Sequence, residues 1–170
     1  MNVISVREVE TLADRAHAGQ TDKIGVPYIE HVRAVAAGLS PFGDELVMAG
    51  LLHDLLEDTD WTAGRLRETG VPARVVEIVE AVTNQTGMTY DEKIRRITAD
   101  PRATLVKIAD NAHNSRPDRA ARLPADKRER LAAKYRSARA RLWPAADRND
   151  VEAVIRVINP SLLAELDARY

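Results

Sequence analysis

Apolar residues recur along most of the chain at spacings of three and four, which is typical of amphipathic helices. Two segments open with capping-box spacing, in which Ser5 is followed by Glu8 and Thr89 by Glu92. Such boxes mark where a helix begins, because the two side chains satisfy free N–H groups in its first turn. The sequence contains no alternating run of β-branched residues bounded by turn residues, so no sheet is expected.

The predicted helices follow one another closely, and the short loops between them contain Gly, Pro and Asn, which favour turns. They cover residues 6–18, 28–39, 44–57, 62–68, 72–83, 90–98, 101–114, 123–142, 150–158 and 161–168. We therefore predict an all-α fold, a single compact helical domain of about eight to ten helices. The main domain is expected over residues 1–145, and the C-terminal helices of residues 146–170 are expected to pack on the same domain.

The composition narrows the class of protein. The chain has 170 residues, 45% of them hydrophobic and 30% charged, which suits one globular domain. It contains no cysteine, which excludes disulfides, zinc–thiolate sites and cysteine nucleophiles and fits a reducing compartment. No apolar stretch is long enough to cross a bilayer, and the N-terminus lacks the apolar run of a signal peptide. We expect a cytoplasmic protein without a membrane segment, in which any metal is held by His, Asp or Glu.

Positive charge is concentrated in one part of the chain. Residues 116–141 carry ten Lys or Arg against three Asp or Glu, although the formal net charge of the whole chain is −1. A solvated helix face explains such a run, and so does a site for an anionic partner. A helical nucleic-acid-binding module built on residues 123–142 is an alternative, but only 4% of the residues are aromatic. Nucleic acid is therefore not the expected partner. Formation of a homo-oligomer is a separate possibility that the sequence does not decide.

The most informative segment is LLHDLLEDT, residues 51–59. On a helix that turns about 100° per residue, the four leucines fall on one side and the four ionisable residues fall on the other. The ionisable side consists of His53, Asp54, Glu57 and Asp58. The leucine side is expected in the core, and the ionisable side faces either water or a ligand.

The charge pattern of this segment favours a bound cation over open water. Three carboxylates crowd one patch with no basic residue three or four positions away, and they lie near the helix C-terminus, where the macrodipole disfavours negative charge. A divalent cation bound by His53 and Asp54 would offset this charge. Adjacent side chains cannot complete a coordination shell, so further ligands must come from elsewhere, and the candidates are His31 and Asp110. A carboxylate with the apolar neighbours of Asp110 needs a partner.

The order H…HD…D resembles the HD metal-dependent phosphohydrolase superfamily. Four motifs carry a closer resemblance: AHAGQTDKIGVPYIEH, LLHDLLEDT, the VT pair at Val82 and Thr83, and LVKIADNAHN. In this order they resemble the hydrolase domain of the RelA/SpoT stringent-response enzymes. The small stand-alone alarmone hydrolases, which include the metazoan SpoT homologue, are the nearest comparison. The resemblance covers roughly residues 5–145.

The resemblance implies a helical fold and a reaction, which is removal of the 3′-pyrophosphate from guanosine tetra- and pentaphosphate with Mn²⁺. The small-molecule nucleotide would then be the principal partner. The implied ligands of one divalent ion are His31, His53, Asp54 and Asp110.

The resemblance also implies roles for residues around the ion. Glu57 and Asp58 match the acidic pair that activates the attacking water, Asn114 matches an Asn associated with the nucleoside, and Lys23 matches a basic residue near the substrate. Imidazole and carboxylate ligands suit Mn²⁺ or another first-row divalent ion, and a neighbouring carboxylate can take a proton from water. Substrate phosphates need cations nearby. The candidates in or beside the motifs are Lys23, Lys93, Arg95, Arg96 and Lys107.

Three positions depart from the family pattern. Asp22 stands where the hydrolases usually have an Arg associated with the purine base, Asn111 where a basic residue commonly follows the last metal Asp, and Pro117 where many members have Thr. None of these positions is expected to bind the metal or to activate water, so the residues needed for hydrolysis are expected to be complete. The sequence does not decide which nucleobase the preferred substrate carries. The alternative is an HD phosphatase for another nucleotide, such as an adenine alarmone, NADPH or a deoxynucleotide.

Overall fold

The computed structural model of the chain describes residues 4–170. Twelve α-helices span this part: α1 Val6–Ala16, α2 Tyr28–Leu39, α3 Asp44–Leu52, α4 Leu55–Asp58, α5 Ala63–Glu68, α6 Ala73–Val82, α7 Tyr90–Thr98, α8 Pro101–Asn114, α9 Pro117–Ala120, α10 Ala125–Leu142, α11 Arg148–Ile158 and α12 Leu163–Asp167. Short 3₁₀ turns cover Ser40–Phe42, Trp143–Ala145 and Pro160–Leu162. Within residues 4–170 there is no β-strand, and one isolated bridge pairs Thr21 with Pro27. The predicted all-α class is confirmed.

The predicted helix starts agree with local capping chemistry. At α1, Ser5 caps the first turn and the Glu8 carboxylate accepts a hydrogen bond from the Ser5 N–H at 2.8 Å. Thr89 and Glu92 form the same box at α7. The Asp100 carboxylate accepts from backbone N–H groups at the start of α8. The helices that begin at these caps therefore start where the sequence predicts.

One predicted helix is interrupted. The prediction of a single helix over residues 44–57 was wrong, because α3 ends at Leu52 and α4 starts at Leu55. His53 Nδ1 donates a hydrogen bond to the Gly50 carbonyl oxygen at 2.7 Å. That oxygen is the acceptor that the N–H of residue 54 would use in a continuous helix. The side chain therefore takes the place of a helical hydrogen bond at the position where the candidate ligands lie.

A close contact between α2 and α3 positions the two histidine-bearing segments. Gly50 faces α2, and a Cβ atom there would lie 2.9 Å from Leu39 Cδ1 and 3.0 Å from Ala36 Cα. A glycine is thus required for the two backbones to approach this closely. The approach brings the end of α3 next to the first turn of α2, where His31 lies.

The C-terminal helices share the core of the preceding helices. Val151, Val154 and Ile155 on α11 have no exposed surface and belong to the same apolar cluster as residues of α2, α3 and α8. The boundary between residues 1–145 and 146–170 stays a prediction. In the described part of the chain, every helix is too short or too polar to cross a bilayer.

Candidate active site

Side chains from three helical segments converge at one point. His31 comes from the first turn of α2, His53 and Asp54 from the break between α3 and α4, and Asp110 from α8. His31 Nε2 lies 3.2 Å from Asp110 Oδ1 and 3.6 Å from Asp54 Oδ2. His53 Nε2 lies 2.9 Å from Asp54 Oδ2 and 3.7 Å from Asp110 Oδ1. The structure therefore brings together the four side chains that were the candidate ligands.

The donor set of this cluster fits a divalent cation. His53 Nε2 is buried and has no hydrogen-bond partner, because its 2.9 Å contact with Asp54 lacks hydrogen-bond geometry. Since His53 Nδ1 is occupied by the Gly50 carbonyl, Nε2 is the nitrogen that faces the cluster. Burial opposes charge on Asp54, yet the adjacent His53 and His31 hold the pKa of its carboxyl well below the usual range. Two imidazoles and two carboxylates suit a first-row divalent metal.

Three further side chains hold the carboxylates in place. Tyr28 Oη donates to Asp54 Oδ2 at 2.5 Å, and Lys107 Nζ donates to Asp110 Oδ2 at 2.6 Å. Asn114 Nδ2 donates to Asp110 Oδ1 at 2.7 Å. The predicted substrate contacts Lys107 and Asn114 thus touch a candidate ligand directly. The sequence reasoning missed Tyr28, although the PYIEH motif places it three residues before a candidate ligand and so on the same helical face.

The cluster lies in the wall of a cavity of about 410 Å³. Most of the predicted site residues line it: Lys23, His31, Asp54, Glu57, Asp58, Lys93, Lys107, Asp110 and Asn114. His53 lies behind this surface and is almost fully buried. The sequence reasoning missed several other lining residues, namely Tyr28, Asn84, Tyr90, Arg119, Lys134 and Tyr135.

Glu57 is fixed at the cavity wall by two donors. Its Oε1 atom accepts hydrogen bonds from the Asn84 N–H at 2.5 Å and from Lys93 Nζ at 3.0 Å. Lys93 is buried, and burial together with the charge of Lys107 lowers the pKa of its ammonium group. Burial and the charge of Asp54 raise the pKa of the carboxyl group of the neighbouring Asp58.

Two predicted phosphate-binding residues do not reach the cavity. Arg95 is exposed, and Arg96 donates to the carbonyl oxygens of residues 80, 81 and 83 at the end of α6. Arg95 lies two residues beyond Lys93 on α7 and so points away from its face. Arg96 lies three residues beyond Lys93, but its guanidinium bonds the end of α6 and not the cavity. The structure thus corrects the placement of Arg95 and Arg96, while Lys93 does line the cavity.

Each of the three residues that depart from the family pattern has a defined place in the structure. The Asp22 carboxylate forms an ion pair with Arg119, whose Nη1 lies 2.8 Å from Oδ2. Asn111 Oδ1 accepts a hydrogen bond from the buried Arg139 on α10 at 3.3 Å. Pro117 is the first residue of α9. At two of the three positions, an arginine from a later helix lies beside the residue that differs from the family pattern.

A sequence profile described as "HD domain" matches residues 10–148, so the chain belongs to the HD domain family. Over 134 residues it is 37% identical to a guanosine-3′,5′-bis(diphosphate) 3′-pyrophosphohydrolase of Haemophilus influenzae, an alignment that covers 71% of this chain and 19% of the relative. Over 140 residues it is 35% identical to the bifunctional (p)ppGpp synthase/hydrolase SpoT of Escherichia coli, covering 75% and 20%. The chain spans about a fifth of the length of these curated relatives.

The fold also has a solved counterpart. The chain superposes on the structure of a metazoan ortholog of SpoT, described as hydrolysing ppGpp, with a TM-score of 0.72 and 23% sequence identity. The match covers 93% of this chain and 95% of the other. The resemblance to RelA/SpoT hydrolase domains is therefore confirmed in sequence, and the helical architecture is confirmed in structure.

Proposed function

We propose that the protein is a Mn²⁺-dependent hydrolase that removes the 3′-pyrophosphate from (p)ppGpp-type alarmones. The observation that carries the proposal is the convergence of His31, His53, Asp54 and Asp110 in the wall of a cavity that also bears several cationic side chains. The activity for which the curated relatives are named supports the same substrate class. The cytoplasmic location and a homo-oligomeric state stay predictions.

The four clustered side chains would hold the metal ion. A divalent ion bound there lowers the pKa of a water molecule and polarises a phosphoryl oxygen. Tyr28 donates to the Asp54 oxygen that lies near the two histidines, and Lys107 donates to the Asp110 oxygen that does not, so both carboxylates keep their orientation. Such contacts around the ligands contribute to metal affinity in known sites.

Glu57 and Asp58 are the groups of this chain that would handle the proton of the attacking water. As the water oxygen bonds to the phosphorus next to the ribose 3′ oxygen, its proton passes to a carboxylate. The bond between that phosphorus and the 3′ oxygen breaks, the 3′ oxygen is protonated, and pyrophosphate leaves. The hydrogen bonds from Asn84 and Lys93 keep the Glu57 carboxylate fixed for this task.

The cations in the cavity support a substrate that carries several phosphates. Lys23 is exposed at the cavity mouth, and its Nζ lies 3.4 Å from Tyr135 Oη. Lys134 lies over the Tyr90 ring at 4.4 Å, and both residues line the cavity. With Lys107, these ammonium groups would offset the negative charge of phosphates close to the candidate metal ligands.

The test combines metal content with a hydrolysis panel. Purified protein is assayed with Mn²⁺ on guanine and adenine alarmones, NADPH and deoxynucleotides, and bound metal is measured by mass spectrometry. We expect pyrophosphate release from ppGpp and joint loss of metal and turnover in Asp54→Ala. Asp60→Ala is the matched control, because Asp60 is exposed and lies outside this cavity. An active, metal-free Asp54→Ala variant, or a wild type that prefers another nucleotide class, would contradict the proposal.

A further inference from the structure

An ion pair that the proposed mechanism does not use lies in the same cavity. Arg119 Nη1 is 2.8 Å from Asp22 Oδ2, and both side chains line the cavity. The Asp22 side chain is 5% exposed and that of Arg119 is 14% exposed. Arg119 follows α8 and Asp22 precedes α2, so the pair joins two segments that are distant in the sequence.

The carboxylate of this pair is rigidly held. Asp22 Oδ1 accepts hydrogen bonds from the N–H groups of Ile24 at 2.9 Å and Val26 at 3.0 Å. Its second oxygen faces Arg119. Arg119 pairs with Asp22 through one guanidinium nitrogen, which leaves the N–H donors of the other nitrogens for a ligand in the cavity. A planar guanidinium oriented from one side is suited to hydrogen bonds with a planar acceptor group.

The pair and the candidate metal ligands occupy different parts of the cavity wall. Asp110 lies on α8 one turn, about 6 Å, before the last residue of that helix, Asn114. Arg119 lies on α9, beyond that end, and Asn114 lines the cavity as well. A substrate whose phosphate reaches the ligands can therefore extend past Asn114 towards Arg119.

The charge balance of the pair favours a neutral part of the substrate. The buried carboxylate of Asp22 offsets the charge of Arg119, so the pair attracts a phosphate less strongly than Lys23 or Lys134 does. We propose that Arg119, oriented by Asp22, binds the nucleobase of the substrate and favours guanine. This inference rests on the proposed function, because it takes a nucleotide as the substrate.

The preference for guanine follows from the acceptor pattern of the base. Guanine presents two acceptors, O6 and N7, to which an arginine donates a pair of hydrogen bonds. Adenine presents its amino group in place of O6, which would bring donors of the base against donors of Arg119. The residue would therefore discriminate between the two purines without contacting the reacting phosphorus.

The experiment compares ligands with and without the base. Dissociation constants for GDP, ADP and inorganic pyrophosphate are measured by calorimetry, and KM and kcat for ppGpp by pyrophosphate release. For Arg119→Ala we expect GDP binding weakened about 10- to 100-fold, the loss typical of a bidentate base contact, with ADP and pyrophosphate changed less than about twofold. KM for ppGpp should rise while kcat stays within a few-fold.

Arg116→Ala is the matched control, because Arg116 has the same charge and adjoins α9, but pairs with the exposed Asp118 and lies outside the cavity. It should leave every constant unchanged. In a second variant, Asp22→Asn, the guanidinium loses its counter-charge, so we expect tighter pyrophosphate binding and a smaller ratio of GDP to ADP affinity. Equal loss for all three ligands in Arg119→Ala, or a wild type that does not distinguish GDP from ADP, would overturn the proposal. A wild type that prefers GDP but does not hydrolyse ppGpp would overturn only the proposed function.

Discussion

At the scale of single residues, the orientation of His31 depends on another imidazole. His31 Nδ1 and His113 Nδ1 lie 2.7 Å apart, so one nitrogen donates and the other accepts. Burial, with the nearby charge of Arg119, lowers the pKa of His113 to about 3, so its ring is neutral. If His31 Nδ1 donates, the lone pair of its Nε2 faces the two carboxylates and is available to a metal.

This arrangement predicts a loss of metal affinity in His113→Leu. Without the acceptor, the His31 ring is no longer fixed, and Mn²⁺ affinity should fall about 10- to 100-fold. Calorimetric titration with Mn²⁺ measures the effect, and circular dichroism checks that the helices are retained. His113→Gln, whose amide oxygen can accept the hydrogen bond, should recover part of the affinity. Unchanged affinity in the leucine variant would show that the contact between the two imidazoles is incidental.

Glu57 gives a second prediction at this scale. Glu57→Gln keeps an oxygen that can accept from Asn84 and Lys93 but removes the basic carboxylate. We expect kcat to fall about 100-fold or more with Mn²⁺ affinity retained, because proton transfer from water is lost. The control is Glu68→Gln on the exposed surface of α5. Undiminished turnover would transfer the role of general base to Asp58.

The sequence identified the candidate ligands but not the residues opposite them. His53 and Asp54 stand out because their charge pattern within one helix is unfavourable without a cation. Arg119 and Tyr135 carry no comparable local pattern, since they enter the cavity only through the packing of α9 and α10 against the loop before α2. Arg95 shows the converse, because it lies two residues from Lys93 in the sequence but is exposed and does not line the cavity.

At the scale of helices, local chemistry was sufficient for most boundaries. Capping residues such as Thr89 and Asp100 act within a few positions, so the starts of α7 and α8 could be predicted from the sequence. The interruption at His53 could not, because it depends on a side chain that leaves the helical pattern to bond the Gly50 carbonyl. That bond also orients the ring towards a cluster built from distant segments.

The contact between α2 and α3 predicts unequal effects of two glycine substitutions. In Gly50→Ala the new Cβ would meet the Ala36 backbone at 3.0 Å, which cannot move as a flexible side chain does. We expect the free energy of unfolding to fall by about 1–3 kcal/mol. Gly64→Ala on α5 is the control, because its nearest neighbour is 3.8 Å away and alanine favours the helix. Urea unfolding measures both, and a Gly50→Ala variant as stable as the wild type would contradict the close approach.

At the scale of the whole molecule, one apolar core supports the helices that carry the candidate ligands. The cluster includes buried residues of α2, α3, α6, α8 and α11, so the helices that carry the candidate ligands pack on the same residues as the C-terminal helices. Asn159 Nδ2, just after α11, donates to the carbonyl oxygen of Ala112, two residues from Asp110. The closing segment is therefore connected to the helix that carries a candidate ligand.

This shared core predicts that the chain unfolds in a single cooperative transition. A substitution in α11 should therefore shift the midpoint of that whole transition. Ile155 has no exposed surface, and Ile155→Ala should lower the free energy of unfolding by about 2–5 kcal/mol, as expected for a large-to-small change in a core. Val157→Ala is the control in the same helix, because Val157 is 54% exposed and should change stability by less than about 0.5 kcal/mol. Far-ultraviolet circular dichroism and tryptophan fluorescence should report the same urea midpoint for each variant. Two separate transitions, with only one displaced by Ile155→Ala, would mean that residues 146–170 fold as an appendage and not as part of the domain.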